Sequence, residues 1–247
     1  MRTYTIIGGG CFGSFYVRQL RRWAKRQHGP VGRIVVVDRD PECRVACEAR
    51  EAPDPRLELR IGDWVEVLCE LVPRLASARS PVTDRLVPSC HAPHVLLQSL
   101  SRLTGREPIG AEVGRELFAG LSTPFVHDLE NGCYAVSYAT WTCPVNCIEP
   151  ETCPAIRQPL DWDVGTALRA YAAERADRID ACHILSCQHE AFGVGTIPLA
   201  AIVDAYRVLR DGPTGAGTTH DDGARRGRVS AVATVSTCHG VIGALQP

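Results

Sequence analysis

The sequence predicts an α/β protein built on a doubly wound, parallel sheet, and three observations carry that expectation. Up to about residue 105, apolar strand-like runs alternate with segments whose apolar residues recur at helical spacing. One of those runs, "RIVVVDRD", is almost continuously apolar, as expected of a strand covered on both faces. The first run, "YTIIGGG", breaks into glycine directly ahead of a helical pattern.

Taken in order, "YTIIGGG" is a short first strand, and "CFGSFYVRQLRRWAKRQHGP" is a helix ended by Gly-Pro. "RIVVVDRD" is the second strand, and "PECRVACEARE" is a short helix with proline at its start. "RLELRI" forms the third strand, and Gly62 and Asp63 open the helix "DWVEVLCELVPRLASA". A weaker fourth strand, "TDRLVPSC", leads to a helix near "PHVLLQSLSRL". Strands joined by helices in this way imply right-handed crossovers and parallel pairing.

The rhythm then stops. "FVHDLENGCYAVSYA" predicts a hairpin whose Asn131-Gly132 pair suits a type I′ turn, and a cysteine loop follows it. The alternation resumes with the helix "VGTALRAYAAERAD", the strand "ACHILSC", the loop "QHEAFGVGT", the helix "IPLAAIVDAYRVLR" and a last strand "RVSAVATVSTC". "DGPTGAGTTHDDGARRG", between the last two, reads as a polar glycine-rich surface loop. The simplest assembly is a Rossmann-like sheet in the order 3-2-1-4-5-6, with the hairpin and cysteine-rich segment inserted between strands 4 and 5. The expected divisions are 1–104 as a first, dinucleotide-binding half, 105–160 as the insertion and 161–247 as the second half.

Composition narrows the function. A chain of 247 residues can bury a full core, and a formal net charge of -1 offers no field for nucleic acid or an anionic membrane. No apolar run reaches the roughly 20 residues of a membrane span, and a first strand starting at Thr3 leaves no room for a signal peptide. A cytoplasmic protein without membrane insertion is expected, in which the 12 cysteines are not a disulfide framework. Lys25 is the one lysine, so P-loop and Schiff-base chemistry are excluded. "YAAER" and "YRVLR" put Arg175 and Arg210 where a Tyr-x-x-x-Lys dehydrogenase has its lysine.

Gly8, Gly10 and Gly13 form G-x-G-x-x-G between a predicted strand and helix. There Gly8 permits the tight turn, Gly10 the approach of a pyrophosphate, and Gly13 close packing of a helix whose N-terminus faces the phosphates. Asp38 ends the second strand at the distance where an acid accepts ribose hydroxyls, which favours NAD, while Arg39 beside it leaves NADP open. Together "IIGGGCFGSFYVRQL", "IVVVDRD" and "RIGDWVEVL" resemble the nucleotide-binding domain of Trk-type potassium-uptake regulators. The resemblance covers about the first ninety residues. It implies NAD-type binding by Gly8, Gly10, Gly13, Asp38 and Asp63.

"CPVNCIEPETC" presents the second constellation. Cys143, Cys147 and Cys153 stand on a proline-stiffened loop whose backbone is committed to neither helix nor strand, so their thiolates can turn toward one centre. Such donors suit zinc or an iron–sulfur cluster, with a redox-active thiol set and plain structural thiols as alternatives. For a fourth ligand, Cys133 is near in sequence, while Cys90-His91, Cys187 with His189, and Cys238-His239 each end a predicted strand. In a single doubly wound sheet those ends share the cofactor edge, and Cys187 is taken as the fourth ligand. His91, His189 and His239 are the candidates for proton transfer. Trp141 and Trp162 bracket the loop and are expected to shield it. "FGVGT" reads as a strand-to-helix turn with N–H groups for an anion. Glu149, Glu151, Asp161 and Asp163 are candidates for acid-base chemistry, although helix capping alone would explain Asp161 and Asp163.

Two functions follow as expectations. One is an NAD(P)-binding oxidoreductase with a cysteine-ligated iron–sulfur cluster or zinc, acting on a small-molecule substrate or redox partner. The other is a non-catalytic NAD-binding sensor or regulator, in which thiol oxidation or metal occupancy biases a conformational equilibrium. A third reading is a structural zinc that stabilises the inserted hairpin of a plain nucleotide-binding protein, and a homodimer is compatible with all three.

Overall fold

The computed structural model describes residues 1–26, 31–79, 81–88, 94–129, 131–144, 146–191, 193–211 and 227–247. Contacts divide the chain into two units. One comprises Met1–Val95, Val145–Ile148 and Cys187–Val203, and the other Leu96–Pro144, Glu149–Ser186 and Asp204–Pro247.

The chain begins with β1 (Arg2–Ile7), whose residues Tyr4 to Ile7 are all buried, as a strand covered on both faces requires. It continues through α1 (Cys11–Lys25), β2 (Val31–Asp38), α2 (Arg44–Glu51), β3 (Leu57–Ile61), α3 (Trp64–Ala76) and β4 (Arg85–Val87). In α1, Gly13, Ser14, Val17 and Leu20 are buried, a spacing that puts one helical stripe against the sheet. Strands β3, β2, β1 and β4 lie side by side in that order, each pair parallel.

The middle of the chain forms α4 (Val95–Thr104), β5 (Glu107–Pro108), α5 (Ala111–Phe118), β6 (Phe125–Asp128), β7 (Tyr134–Ser137) and α6 (Val164–Glu174). It ends with β8 (Ile179–Ser186), β9 (Gln188–Ala191), β10 (Val194–Pro198), α7 (Leu199–Asp211), β11 (Val229–Val235) and β12 (His239–Gln246). The second unit holds a sheet in the order β6-β7-β12-β11-β8, with β5 also paired to β12. Only β8 and β11 are parallel there. Its core gathers Phe118, Tyr134, Leu168, Ala233 and Ile242 among others. Among the described residues, no helix is long and apolar enough to cross a membrane.

The protein is thus mixed α/β, and a single sheet in the order 3-2-1-4-5-6 is not what forms. The predicted fifth and sixth strands, β8 and β11, build the second sheet instead, because "CHGVIGALQ" folds back as β12 on one edge of β11. The place beside β4 is taken by β10, antiparallel, from the "FGVGT" segment expected to be a turn. Val194, Thr196 and Ile197 are buried in a β-branched pattern that Gly195 concealed, and the turn itself is at Gly193, whose φ is 68°. The hairpin of β6 and β7 forms, and Gly132 of its Asn-Gly pair has the positive φ (74°) that a tight turn asks of a glycine.

Candidate functional site

The glycine turn connects β1 to α1. Gly8 has φ 91°, and its N–H donates to Val37 O at 2.8 Å, which fixes the turn against β2. A Cβ on Gly13 would lie 2.0 Å from Gly8 O, and one on Gly9 would lie 2.4 Å from Cys43 Sγ. Three of the four glycines are therefore demanded by the fold. Gly10 is not: it is exposed, it precedes α1 with no side-chain cap, and a Cβ there would meet nothing within 4 Å. The space a Cβ would enter is open.

Asp38 ends β2 half-buried, with Oδ2 accepting from Gly9 N at 2.6 Å and Oδ1 from Asp40 N at 2.9 Å. The carboxylate thereby positions the turn and keeps further lone pairs for hydroxyl donors. Asp63 caps α3, accepting from Val65 N at 2.8 Å and Glu66 N at 3.0 Å. It also pairs with Arg39, and that guanidinium, followed by the capping N–H groups, holds its carboxyl below the usual range. The arrangement gives Asp63 a structural task and ties Arg39 to it.

The cysteine loop is organised around the turn between β11 and β12. Glu149, with φ 50°, accepts from Thr237 N at 2.9 Å and Cys238 N at 3.3 Å. A left-handed glutamate costs about 1–2 kcal/mol, offset here by two charge-assisted hydrogen bonds. Cys238 O accepts from Tyr138 N at 2.9 Å, and Val164 N donates to Thr237 O at 3.0 Å. Residues 151–160 fold on themselves through Leu160 N to Glu151 O, Cys153 N to Gln158 O and Arg157 N to Cys153 O, each 2.8 Å. This buries Cys153. Asp163 caps α6 through Thr166 N at 2.5 Å, the role expected of it.

Cys143 and Cys153 lie within electrostatic reach of Cys238. Burial first of all pushes the Cys238 thiol up to about 11, and negative charge on Glu149, Cys143 or Cys153 pushes the same way. The Trp162 indole opposes this by stabilising a thiolate at Cys238, although its N–H falls outside ordinary hydrogen-bond geometry and stays without a partner. Trp141 Nε1 is likewise buried without a partner, and its ring meets that of Trp162 edge-on at 6.0 Å. An unpartnered Trp162 N–H near Cys238 fits a sulfur that carries negative charge. Among the described residues, no three His, Cys, Asp or Glu side chains already stand at metal-sharing distance.

A family model, AF_1314_C, described as "Uncharacterized protein, C-terminal domain", matches residues 94–247, more than half of the chain. The chain belongs to the AF_1314_C family. No curated protein and no solved structure is significantly similar to it. The AF_1314_C span contains Cys143, Cys147, Cys153, Cys187 and Cys238, while the glycine turn, Asp38 and Asp63 precede it.

Within the AF_1314_C span the expected ligands divide. Cys143 and Cys153 belong to the second unit, and Cys147 and Cys187 to the first. Cys187 and His189 flank Gly195, each with its terminal atom within 4 Å of where a Cβ there would be. Cys133, the candidate nearest in sequence, is buried and raised to about 11 by burial alone, so it fills core space. Cys90 and His91 lie outside the described residues. His189 is half-buried on β9 in the first unit, and exposed His239 starts β12 in the second. Of the strands that precede the three Cys/His pairs, β8 and β11 are parallel neighbours in one sheet, while β4 belongs to the other. Sequence reading also passed over His183 on β8, whose Nε2 is buried without a partner and whose pKa is lowered, mainly by burial. Alternation along "ACHILSC" would have placed it inside.

Proposed function

We propose that the chain is an NAD(P)-binding oxidoreductase that binds the dinucleotide at the glycine turn and an iron–sulfur cluster or zinc at Cys143, Cys153 and Cys238. What supports this reading is that Glu149 ties the Cys238 turn to the cysteine loop through Thr237 N and Cys238 N, with Cys143 and Cys153 within electrostatic reach of Cys238. The reading replaces Cys187 by Cys238 in the expected ligand set and leaves Cys147 as the further thiol of the loop.

The nucleotide assignment is supported by the open space at Gly10 and by the Trk-type resemblance of the first ninety residues. Gly8 and Gly13 shape the turn, and Asp38, held by Gly9 N–H, accepts the ribose hydroxyls. Arg39, tied to Asp63, would have to leave that partner to receive a 2′-phosphate, which favours NAD. A bound cluster supplies one-electron transfer, and a bound zinc supplies a Lewis acid. Around it, Glu149 fixes the Cys238 turn, the Trp141 and Trp162 rings keep water from the thiols, and the unpartnered Trp162 N–H lies near Cys238. His239, next to Cys238 and exposed, is the described histidine best placed in sequence to exchange a proton with solvent.

A second reading, the thiol-based sensor, draws on the fact that no three described donors already share metal-binding distance. Anaerobic purification followed by iron, zinc and acid-labile sulfide analysis separates the two. Metal that is lost in Cys238→Ser and kept in Cys187→Ser supports the metalloprotein. Absence of metal, with reversible oxidation of Cys143, Cys153 or Cys238 tracked by mass spectrometry, supports the sensor. NAD titration of the wild type and of Gly10→Val tests the other half, and equal binding by both removes the glycine turn from the reading.

A further inference from the structure

At the other end of α1 from the glycine turn, Arg22 and Arg26 stand four residues apart and so share one face of the helix. Together with Gln19, Trp23, Ile148 and His189 they line a cavity of about 260 Å³ within the first unit. Neither arginine has a carboxylate partner among the described residues: Arg22 reaches only the Gln19 amide oxygen, at a long 3.5 Å.

Glu190, also in the wall, does not neutralise them. Its carboxylate is used by Arg2 at 2.8 Å, Arg85 at 2.7 Å and the Tyr4 hydroxyl at 3.0 Å. Two guanidinium groups therefore face a concave space whose other sides are the Trp23 indole and Ile148, a side chain left 40% exposed. Compensation of the helix dipole accounts for cations in the last turn of α1. It does not account for the aromatic and aliphatic walls beside them.

We propose that this cavity binds a small organic anion, a carboxylate or phosphate head paired with Arg22 and Arg26 and a flat apolar body against Trp23 and Ile148. The volume lies below the usual range for larger ligands, so the occupant is monocyclic in size and not a dinucleotide. At 1.5 Å per helical residue, Trp23 is roughly 20 Å from Gly10 along α1, so the site is separate from the glycine turn. The exposed arginines fork toward carboxylate and phosphate alike.

Titration of the full chain with benzoate, phenyl phosphate and uncharged benzyl alcohol, followed by tryptophan fluorescence and calorimetry, tests the assignment. Both anions are expected to bind and the alcohol is not, with the tighter anion naming the head group. Arg22→Gln with Arg26→Gln, a surface change that spares the core, is expected to weaken the anion by about tenfold or more. Trp23→Phe is expected to remove the fluorescence change while leaving the calorimetric signal. Equal anion affinity in the arginine variant, or no calorimetric binding of either anion by the wild type at millimolar concentration, overturns the proposal.

Discussion

The glycine turn and the thiol constellation ask for their residues in opposite ways. At the turn, Gly8 is set by its positive φ, Gly9 by the Cys43 side chain and Gly13 by the Gly8 carbonyl, while Gly10 alone is left with open space around it. Around Cys238 nothing local asks for a thiol. Cys143 and Cys153 come within electrostatic reach of that cysteine where Glu149 reaches to a turn some ninety residues further along the chain. A local motif is read by asking which residues the fold can spare, and a dispersed one by asking which turns are pinned to each other.

The largest effect that could break this contrast is at Gly13. Gly13→Ala places a Cβ 2.0 Å from Gly8 O, a backbone atom that cannot step aside, and should cost about 3–5 kcal/mol in chemical denaturation. Gly10→Ala should stay within about 1 kcal/mol of the wild type. Similar costs for the two would mean that the turn does not distinguish packing glycines from ligand-facing ones.

A smaller cost is expected at Glu190. Glu190→Gln leaves Arg2 and Arg85 without their shared counter-charge, and partial solvent access reduces the usual cost of a broken buried pair to about 2–3 kcal/mol. A drop in thermal midpoint without change in metal content would mark this network as structural, unlike the thiol set.

On the thiol side, Cys238 holds its proton at neutral pH, because its pKa is pushed up to about 11. Metal loading must release that proton, so apparent zinc affinity should fall as pH is lowered from 8 to 6, about tenfold per displaced proton per pH unit. Calorimetry in buffers of different ionisation enthalpy measures the proton released, and a pH-independent affinity would remove Cys238 from the site. The smallest effect is at Glu149. Glu149→Gln removes the negative charge that helps to raise Cys238, so the thiol should alkylate about two- to threefold faster at pH 8.

The sequence carried the first unit well where periodicity was strong. "YTIIGGG" and "RIVVVDRD" were legible because a strand covered on both faces has to be continuously apolar. Asp63 opens a helix in the sequence pattern and caps α3 in the structure, and an acid at a helix start has the same signature whether it caps or faces a nucleotide. Gly195 hid β10, and "AEVGRELF" was passed over as a helix because Gly114 interrupts a short apolar stripe. Cys238 was among the candidates, but the choice of Cys187 followed from a single assumed sheet. Sheet membership depends on long-range pairing of β8, β11 and β12, which no local window contains.

The hairpin of β9 and β10 completes the first unit's sheet although it comes from Gln188–Pro198, beyond the whole cysteine loop in the chain. A fragment cut at residue 94, however natural a boundary it looks, would therefore leave β4 with a bare hydrogen-bonding edge. It would also leave Arg2 and Arg85 without Glu190. Such a fragment should self-associate through that edge, and the first unit's sheet can be completed only once synthesis has passed Pro198.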